Sequence, residues 1–317
     1  MNKAIKGAKK LIEQQVYENR ISVFGNKFSE YQKAYFWTNE NINGYLNLVN
    51  LKDKNSALSV MSSGDHTFNL ITNNIFNIDT FDTNKLTEYY VLGLKRAMIC
   101  KYNYEEFIAT NIILTARFSP IDEITTIIRD LLPFMDEKYR KFWEYIVEYN
   151  YTLQKRSNTN LNLMYMLYIA VSPVKGIKKY NNYLSNRDNY NLLKNNIEKA
   201  NVTFKWADAI NLDKEFAGKK YDLILLSNIL DYFNEKWGEK WPYEKLESYV
   251  NSLENITNQD GLIFLHWIYL YATSTIERNS VILKSGITAI ELKEEILRVP
   301  IPGKTTAYDG MILKRFK

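Results

Sequence analysis

Short apolar runs alternate along this chain with stretches of helical spacing. Residues 57–61 form an apolar run that ends in a polar turn, and residues 77–82 alternate like a strand after a short helical stretch. Residues 86–98 then resume helical spacing. Because parallel strands are joined through a crossover, which is usually a helix, this order predicts an α/β fold with a parallel sheet.

The same alternation returns in the second half of the chain. Residues 202–206, 221–227 and 261–267 are nearly continuous apolar runs, which are typical of strands buried on both faces of a sheet. Residues 296–299 and 311–315 are predicted to form a terminal antiparallel pair, an arrangement that mixed sheets often carry. We therefore expect a Rossmann-like, mostly parallel sheet.

Residues 101–200 interrupt this alternation. Four stretches of helical spacing follow one another there, at 104–113, 121–135, 137–149 and 161–169. They are too long for a single crossover, so we expect a helical insertion. The predicted organisation is an N-terminal helical segment (1–55), a Rossmann-like domain in two pieces (56–100 and 201–317) and a substrate-side helical insertion (101–200).

The composition excludes several other classes of protein. With 46% hydrophobic and 24% charged residues in a chain of 317, a large core can form, unlike in a disordered protein or a collagen. The net charge of +5 is too small and too dispersed to indicate nucleic-acid binding. A single cysteine, Cys100, excludes a disulfide framework and a cysteine zinc site, and two histidines argue against a histidine metal centre.

The N-terminal residues allow two interpretations of their helix. No targeting segment is expected, and the apolar runs fall short of the roughly 18 residues of a membrane span, so we predict a cytoplasmic protein. Ile5, Ala8 and Ile12 recur at helical spacing, with lysines on the other faces. Such a helix either makes weak peripheral contact with the inner face of the membrane or packs over the core with its lysines solvated. We favour the packed helix.

The residues that carry chemistry begin at the end of the first predicted strand. Ser62, Ser63, Gly64, Asp65 and His66 form a tight turn there. Its glycine lets the backbone approach a ligand.

An acidic residue, Asp82, closes the second predicted strand eighteen residues after Gly64. Its carboxylate is placed to accept hydrogen bonds from ribose hydroxyls. Only one glycine is present, where dinucleotide sites have three, and Asp65 would repel a phosphate. A nucleoside without phosphates fits better, and S-adenosylmethionine (SAM) is the common one.

Further polar residues follow the third and fourth predicted strands. Asp208 and Ala209 are predicted to contact the adenine, although Asp208 also fits a surface loop. Ser227 and Asn228 are predicted to contact the methionine part of SAM or the acceptor, because ligands bind at the carboxyl ends of parallel strands. An N-cap for the next helix is their competing role. Asp231 and Tyr232 follow one helical turn on and, with His66 and His266, are the candidates for a general base.

Several short segments, in their order along the chain, resemble one known family. They read SSGDH (62–66), FDTN (81–84) leading into LKRA (94–97), YNYEEF (102–107), YRKFW (139–143) and LLSNILDY (225–232). This order resembles the diacylglycerol 3-amino-3-carboxypropyltransferases that make betaine lipids. The resemblance implies a SAM-binding, Rossmann-like domain of the class I methyltransferase type with a helical insertion. The chain is shorter and has fewer histidines and basic residues than the family leads one to expect.

The group that is transferred distinguishes three hypotheses. Loss of the methyl group from SAM leaves S-adenosylhomocysteine, whereas loss of the aminocarboxypropyl group leaves methylthioadenosine. Both transfers are single displacements, in which the protein positions the acceptor and removes its proton. The resemblance implies aminocarboxypropyl transfer to a hydroxyl or amine acceptor such as a diacylglycerol-like lipid. The alternatives are a methyltransferase acting on a small molecule or lipid and a non-catalytic SAM-binding module. The sequence leaves the oligomeric state undetermined.

Overall fold

A seven-stranded sheet forms the centre of the molecule. The computed structural model describes residues 3–18, 31–116, 119–169, 174–230, 232–233, 241–268, 287, 290–305 and 307–316. The strands are β1 (Ser56–Val60), β2 (Asn77–Asp82), β3 (Asn201–Trp206), β4 (Tyr221–Leu225), β5 (Thr257–Ile268), β6 (Glu295–Pro300) and β7 (Tyr308–Arg315). Each lies where the sequence predicted a strand, with ends that differ by a few residues. The expected burial on both faces is wrong for β3, which is an edge strand with mostly exposed side chains.

The order of the strands defines the fold. Across the sheet they run β3-β2-β1-β4-β5-β7-β6. The strands β1 to β5 pair in parallel, and β7 is antiparallel to both of its neighbours, β5 and β6. This order, with an antiparallel last strand inserted next to the fifth, is the arrangement of a Rossmann-like methyltransferase sheet. The predicted fold class and the predicted terminal antiparallel pair are therefore confirmed.

Helices cover the sheet and fill the insertion. They are α1 (Lys3–Glu18), α2 (Ile42–Leu46), α3 (Asp65–Thr72), α4 (Leu86–Glu88), α5 (Arg96–Lys101), α6 (Tyr104–Thr115), α7 (Ile121–Leu131), α8 (Glu137–Ser157), α9 (Leu163–Leu167), α10 (Val174–Tyr180), α11 (Asn182–Ser185), α12 (Arg187–Asn196), α13 (Leu212–Glu215) and α14 (Tyr243–Ser252). Short 3-10 turns are at Leu132–Phe134, Ala209–Asn211 and Leu253–Ile256. Residues 101–200 are thus mainly helical, as expected, while the division into domains remains a prediction.

A π-helical segment, Tyr89–Lys95, joins α4 to α5. All seven of its residues are buried. The sequence predicted an ordinary α-helix through this stretch. The spacing of apolar residues does not distinguish a π turn from an α-helical turn here. Such turns often occur at functional sites. This one places the ammonium group of Lys95 beneath the turn that follows β1.

The N-terminal helix α1 packs its apolar face into the core. Ala8 and Ile12 are fully buried, and the Gln15 side-chain amide donates to the Met166 carbonyl oxygen at 2.8 Å. Lys6 and Lys10 are exposed. Because the apolar face contacts protein, it offers no apolar surface to a bilayer, and the predicted membrane contact finds no support here. Within the described part of the chain, no helix is long and apolar enough to cross a membrane.

Residues 31–41 form no helix and include only a two-residue strand, Ala34–Tyr35. We call them the edge segment, because they cross the carboxyl ends of the strands. Ala34–Tyr35 pairs in parallel with Tyr168–Ile169 of the insertion, so its backbone hydrogen bonds are made to a distant part of the chain. The expectation that residues 1–55 are helical is therefore wrong for this stretch. Because the paired residues are far apart in the sequence, no local sequence pattern predicts that they pair.

Candidate functional site

The turn after β1 has a backbone that only glycine fits well. Gly64 has φ +81°, and its N–H donates to the Met61 carbonyl oxygen at 2.7 Å. A Cβ atom on Gly64 would lie 2.5 Å from Cγ1 of Val91, which is closer than real contacts allow. Left-handed backbone and close packing therefore both require the glycine. Ser62, two residues earlier, also has a positive φ of 44°.

Asp82, at the end of β2, holds this turn in place. Its Oδ2 atom accepts from the Ser62 N–H at 2.9 Å, and its Oδ1 atom accepts from the Asn84 N–H at 2.8 Å. Burial raises the pKa of Asp82 to about 6, although hydrogen bonds from the backbone act in the opposite direction. The Thr83 backbone and the Thr87 side chain also bond to this carboxylate, so its hydrogen bonds are made within the chain and a ribose would have to share or replace them. The half-buried side chain lies at the end of β2, where the sequence predicted a ribose contact, and that contact stays a prediction.

Asp65 is not available to a ligand. It is fully buried, and its Oδ1 atom accepts from Lys95 Nζ at 2.6 Å and from the Tyr183 hydroxyl at 2.7 Å. Its Oδ2 atom accepts from the Thr38 N–H at 2.7 Å and from the Ser63 hydroxyl at 2.9 Å. The structure therefore gives this predicted cofactor ligand a structural role. Because Lys95 neutralises its charge, the argument that Asp65 repels phosphate no longer holds.

His66, in the first turn of α3, belongs to a buried cluster that the sequence did not predict. Its Nε2 atom lies 3.1 Å from Oε2 of Glu40, and the Ser227 hydroxyl donates to the other oxygen of the same carboxylate. Glu40 and His66 are 2% and 1% exposed. The predicted residues His66 and Ser227 are thus joined through Glu40, which the sequence did not predict.

Glu40 was missed because its segment was expected to be helical. The polar run at residues 38–41 is the available signal, since such clusters are typical of loops and helix caps. Asn41 does cap α2, where its side-chain oxygen accepts from the Gly44 N–H at 2.9 Å. A polar run of this kind predicts that the helix begins after it, which leaves Glu40 in a loop.

The predicted adenine contacts lie at the end of β3. Asp208 begins the 3-10 turn Ala209–Asn211, with its carboxylate 3.4 Å from the Ile210 N–H. It therefore acts as a helix cap, and Ala209 behind it is buried. Trp206, which the sequence did not single out, is 49% exposed beside them and donates to the Thr83 carbonyl oxygen at 3.0 Å.

The remaining candidates follow β4. Ser227 has φ +58°, and its hydroxyl also lies 3.3 Å from Oδ1 of Asn228. The Tyr232 hydroxyl lies 3.1 Å from the hydroxyl of Tyr35 in the edge segment. Asp231 lies outside the described residues, as does the side chain of His266 on β5.

These side chains meet at the carboxyl edge of the sheet with acidic and hydroxyl groups predominating. Asp82, Glu40 and Ser227 lie there, and the nearby Lys33 is buried with its Nζ atom 3.0 Å from the Tyr165 carbonyl oxygen. Burial lowers the pKa of Lys33 to about 8. In the described part of the chain, no three His, Cys, Asp or Glu side chains are arranged to hold a metal. The edge therefore carries acidic and hydroxyl groups, of which the Glu40 carboxylate is buried and the Asp82 carboxylate is hydrogen-bonded within the chain.

Comparisons with known proteins give structural likenesses only. No protein-family model and no curated protein match the sequence. The rRNA methyltransferase aviRa from Streptomyces viridochromogenes is 10% identical with a TM-score of 0.36, over 83% of this chain and 76% of that one. A structure described as the conversion of a disulfide bond into a thioacetal group during echinomycin biosynthesis is 9% identical with a TM-score of 0.37, over 91% and 87% of the two chains. The glycopeptide N-methyltransferase MtfA, complexed with SAM, is 7% identical with a TM-score of 0.31, over 89% and 68%. At these values the likenesses establish neither a family nor a chemistry.

Proposed function

We propose that this protein is a SAM-dependent transferase. The observation that carries the proposal is the position of Asp82. Its carboxylate ends β2 in a sheet of methyltransferase order and bonds to the backbone of the turn that follows β1. In such sheets the ligand lies outside the carboxyl ends of the strands, where an acidic residue after the second strand accepts the ribose hydroxyls.

The residues present fit this co-substrate. Asp82 would accept the ribose hydroxyls, Trp206 and the Asp208–Ala209 turn would hold the adenine, and Ser227 with Asn228 would contact the methionine part. The sulfonium of SAM supplies a good leaving group, so the protein needs to orient an acceptor and to receive its proton. The candidates for that proton are His66, Tyr232 and Asp231.

Two considerations favour different transferred groups. The order of the segments that resemble the betaine-lipid enzymes favours the 3-amino-3-carboxypropyl group, with a hydroxyl or amine acceptor on a small molecule or a lipid. The methyl group is favoured because most Rossmann-like folds that bind SAM transfer it, whereas the strand order is common to both hypotheses. The same residues would bind SAM in either case, and the orientation of the sulfonium relative to the acceptor decides between them.

One chromatographic experiment tests the proposal. The full-length protein is incubated with SAM and either diacylglycerol vesicles or a cell extract, and the nucleosides are separated. Methylthioadenosine supports aminocarboxypropyl transfer, and S-adenosylhomocysteine supports methyl transfer. SAM binding without either product supports the binding-module alternative. The absence of SAM binding by calorimetry overturns the proposal as a whole.

A further inference from the structure

The edge segment runs along the carboxyl edge of the sheet from β2 to β6. The Gln32 carbonyl oxygen accepts from the side chain of Asn84, which follows β2, at 2.9 Å. Thr38 is bonded to Asp65, which follows β1. At its far end Asn41 donates to the carbonyl oxygen of Pro300, the last residue of β6, at 2.9 Å. Contacts at both ends and in the middle fix the position of the residues between them.

Glu40 lies where the sheet changes direction. β1 and β4 are neighbours, but the chain leaves β1 toward β2 and leaves β4 toward β5. The crevice at such a switch point is where open α/β sheets bind ligands. Glu40 bonds to His66, which follows β1, and to Ser227, which follows β4. The edge segment therefore delivers a carboxylate to both sides of this crevice.

The neighbours of Glu40 leave it with acceptor capacity. The Nδ1 atom of His66 is buried and has no hydrogen-bond partner among the described residues. A buried N–H without an acceptor is more costly than an unpaired nitrogen lone pair, so we assign the ring proton to Nε2, where it is donated to Glu40. In this arrangement His66 and Ser227 each give the carboxylate one hydrogen bond and no charge.

We propose that Glu40 recognises the positive charge of the methionine end of SAM, an inference that rests on the function proposed above. That end carries a sulfonium, an ammonium and a carboxylate, with a net charge of +1, whereas methylthioadenosine has none of the three. Glu40 is buried behind Ser227, which is half-buried, so its charge acts across a short distance rather than by open contact. Opposite charges about 6 Å apart at an effective dielectric constant of about 20 change an affinity by roughly a hundredfold.

The test compares three nucleosides on the wild-type protein and on Glu40→Gln, which keeps the shape of the side chain. We expect the dissociation constant of SAM to rise about tenfold to a hundredfold, and that of methylthioadenosine to change by less than about twofold. S-adenosylhomocysteine keeps the ammonium and the carboxylate but not the sulfonium, so it identifies the charge that Glu40 recognises: weakened binding points to the ammonium and unchanged binding to the sulfonium. Equal weakening of all three ligands, or unchanged SAM binding, overturns the inference.

Two controls separate the possible failures. Asp82→Asn removes a contact to the ribose, which all three ligands share, so it should weaken them alike. If Glu40→Gln does not fold, the wild-type protein still tests the inference. If the wild type binds methylthioadenosine as tightly as SAM, it does not recognise the charge. If the wild-type protein binds none of the three nucleosides, the proposed function itself fails. If it binds them and Glu40→Gln has no selective effect, only this inference fails.

Discussion

The Nζ atom of Lys95 lies 2.6 Å from Oδ1 of Asp65, and neither side chain is exposed to solvent. The same ammonium donates to the Ser63 carbonyl oxygen at 3.0 Å and lies 4.0 Å from the centre of the Trp37 ring. Burial lowers the pKa of Lys95, and the Asp65 carboxylate opposes that shift. The pair thus ties the π-helical segment and the edge segment to the turn that Asp82 holds in place.

Lys95→Met should destabilise the protein by about 3–5 kcal/mol, because it leaves the buried Asp65 carboxylate without its counter-ion. Urea denaturation measures the effect. The matched control is Lys141→Met, which breaks the exposed ion pair with Glu137 and should cost about 1 kcal/mol or less. Equal stability of the two variants would show that the buried pair has no special structural role.

Gly64→Ala should be more destabilising than Gly218→Ala. Both glycines have a positive φ, +81° and +82°, so each alanine bears a backbone cost of about 1–2 kcal/mol. Only at Gly64 does the new Cβ atom meet a neighbour, Val91, which adds about 1–3 kcal/mol of overpacking. At Gly218 there is nothing within 4 Å. Equal losses in chemical denaturation would contradict the close packing of the turn.

Asp82→Asn should weaken SAM binding by about 1.5–3 kcal/mol, which is the contribution of a hydrogen bond to a charged group. Calorimetry measures the change. Asp79→Asn on the same strand is the control, because the Asp79 carboxylate accepts from Tyr221 and Lys219 at 2.6 and 2.7 Å, away from the turn after β1. An unchanged affinity for Asp82→Asn would remove the ribose assignment.

The unliganded protein should also lose stability through Asp82 as the pH rises from about 4 to about 6. In the folded state burial raises the pKa of Asp82 from 3.8 to about 6, so the folded chain binds more protons than the unfolded chain in this window. The free energy of unfolding of the wild type, minus that of Asp82→Asn, should therefore fall across this range and then level off. Other titrating groups are common to both proteins and cancel. A difference that rises with pH would contradict the assigned direction of the pKa shift.

Ile12→Ala should destabilise the protein by about 2–5 kcal/mol, because it removes a fully buried side chain of α1 from the core. Lys10→Ala, on the exposed face of the same helix, should change stability by about 0.5 kcal/mol or less. Thermal or urea unfolding measures both. If Ile12→Ala is as stable as the wild type but loses binding to anionic vesicles, α1 is a membrane helix instead.

The sequence by itself determined the sheet. The apolar run in β4 and the alternation in β2 are local patterns, since burial on one or both faces of a sheet fixes which residue types recur and how often. Gly64 could be predicted for the same reason, because a tight turn at the end of a strand requires a particular residue type at one position. Asp82 was singled out as a ribose ligand from its spacing after that glycine, and the structure shows it bonded to the backbone of the turn.

Only the tertiary structure decided which acidic residues face the crevice. Asp65 and Asp82 look alike in the sequence, yet Asp65 is neutralised by Lys95, thirty residues away in a π turn that no spacing reveals. Glu40 meets Ser227 across 187 residues of chain, by way of a segment that was expected to be helical. A local pattern reports burial and backbone geometry, whereas the partner of a charged side chain is set by which distant elements pack beside it.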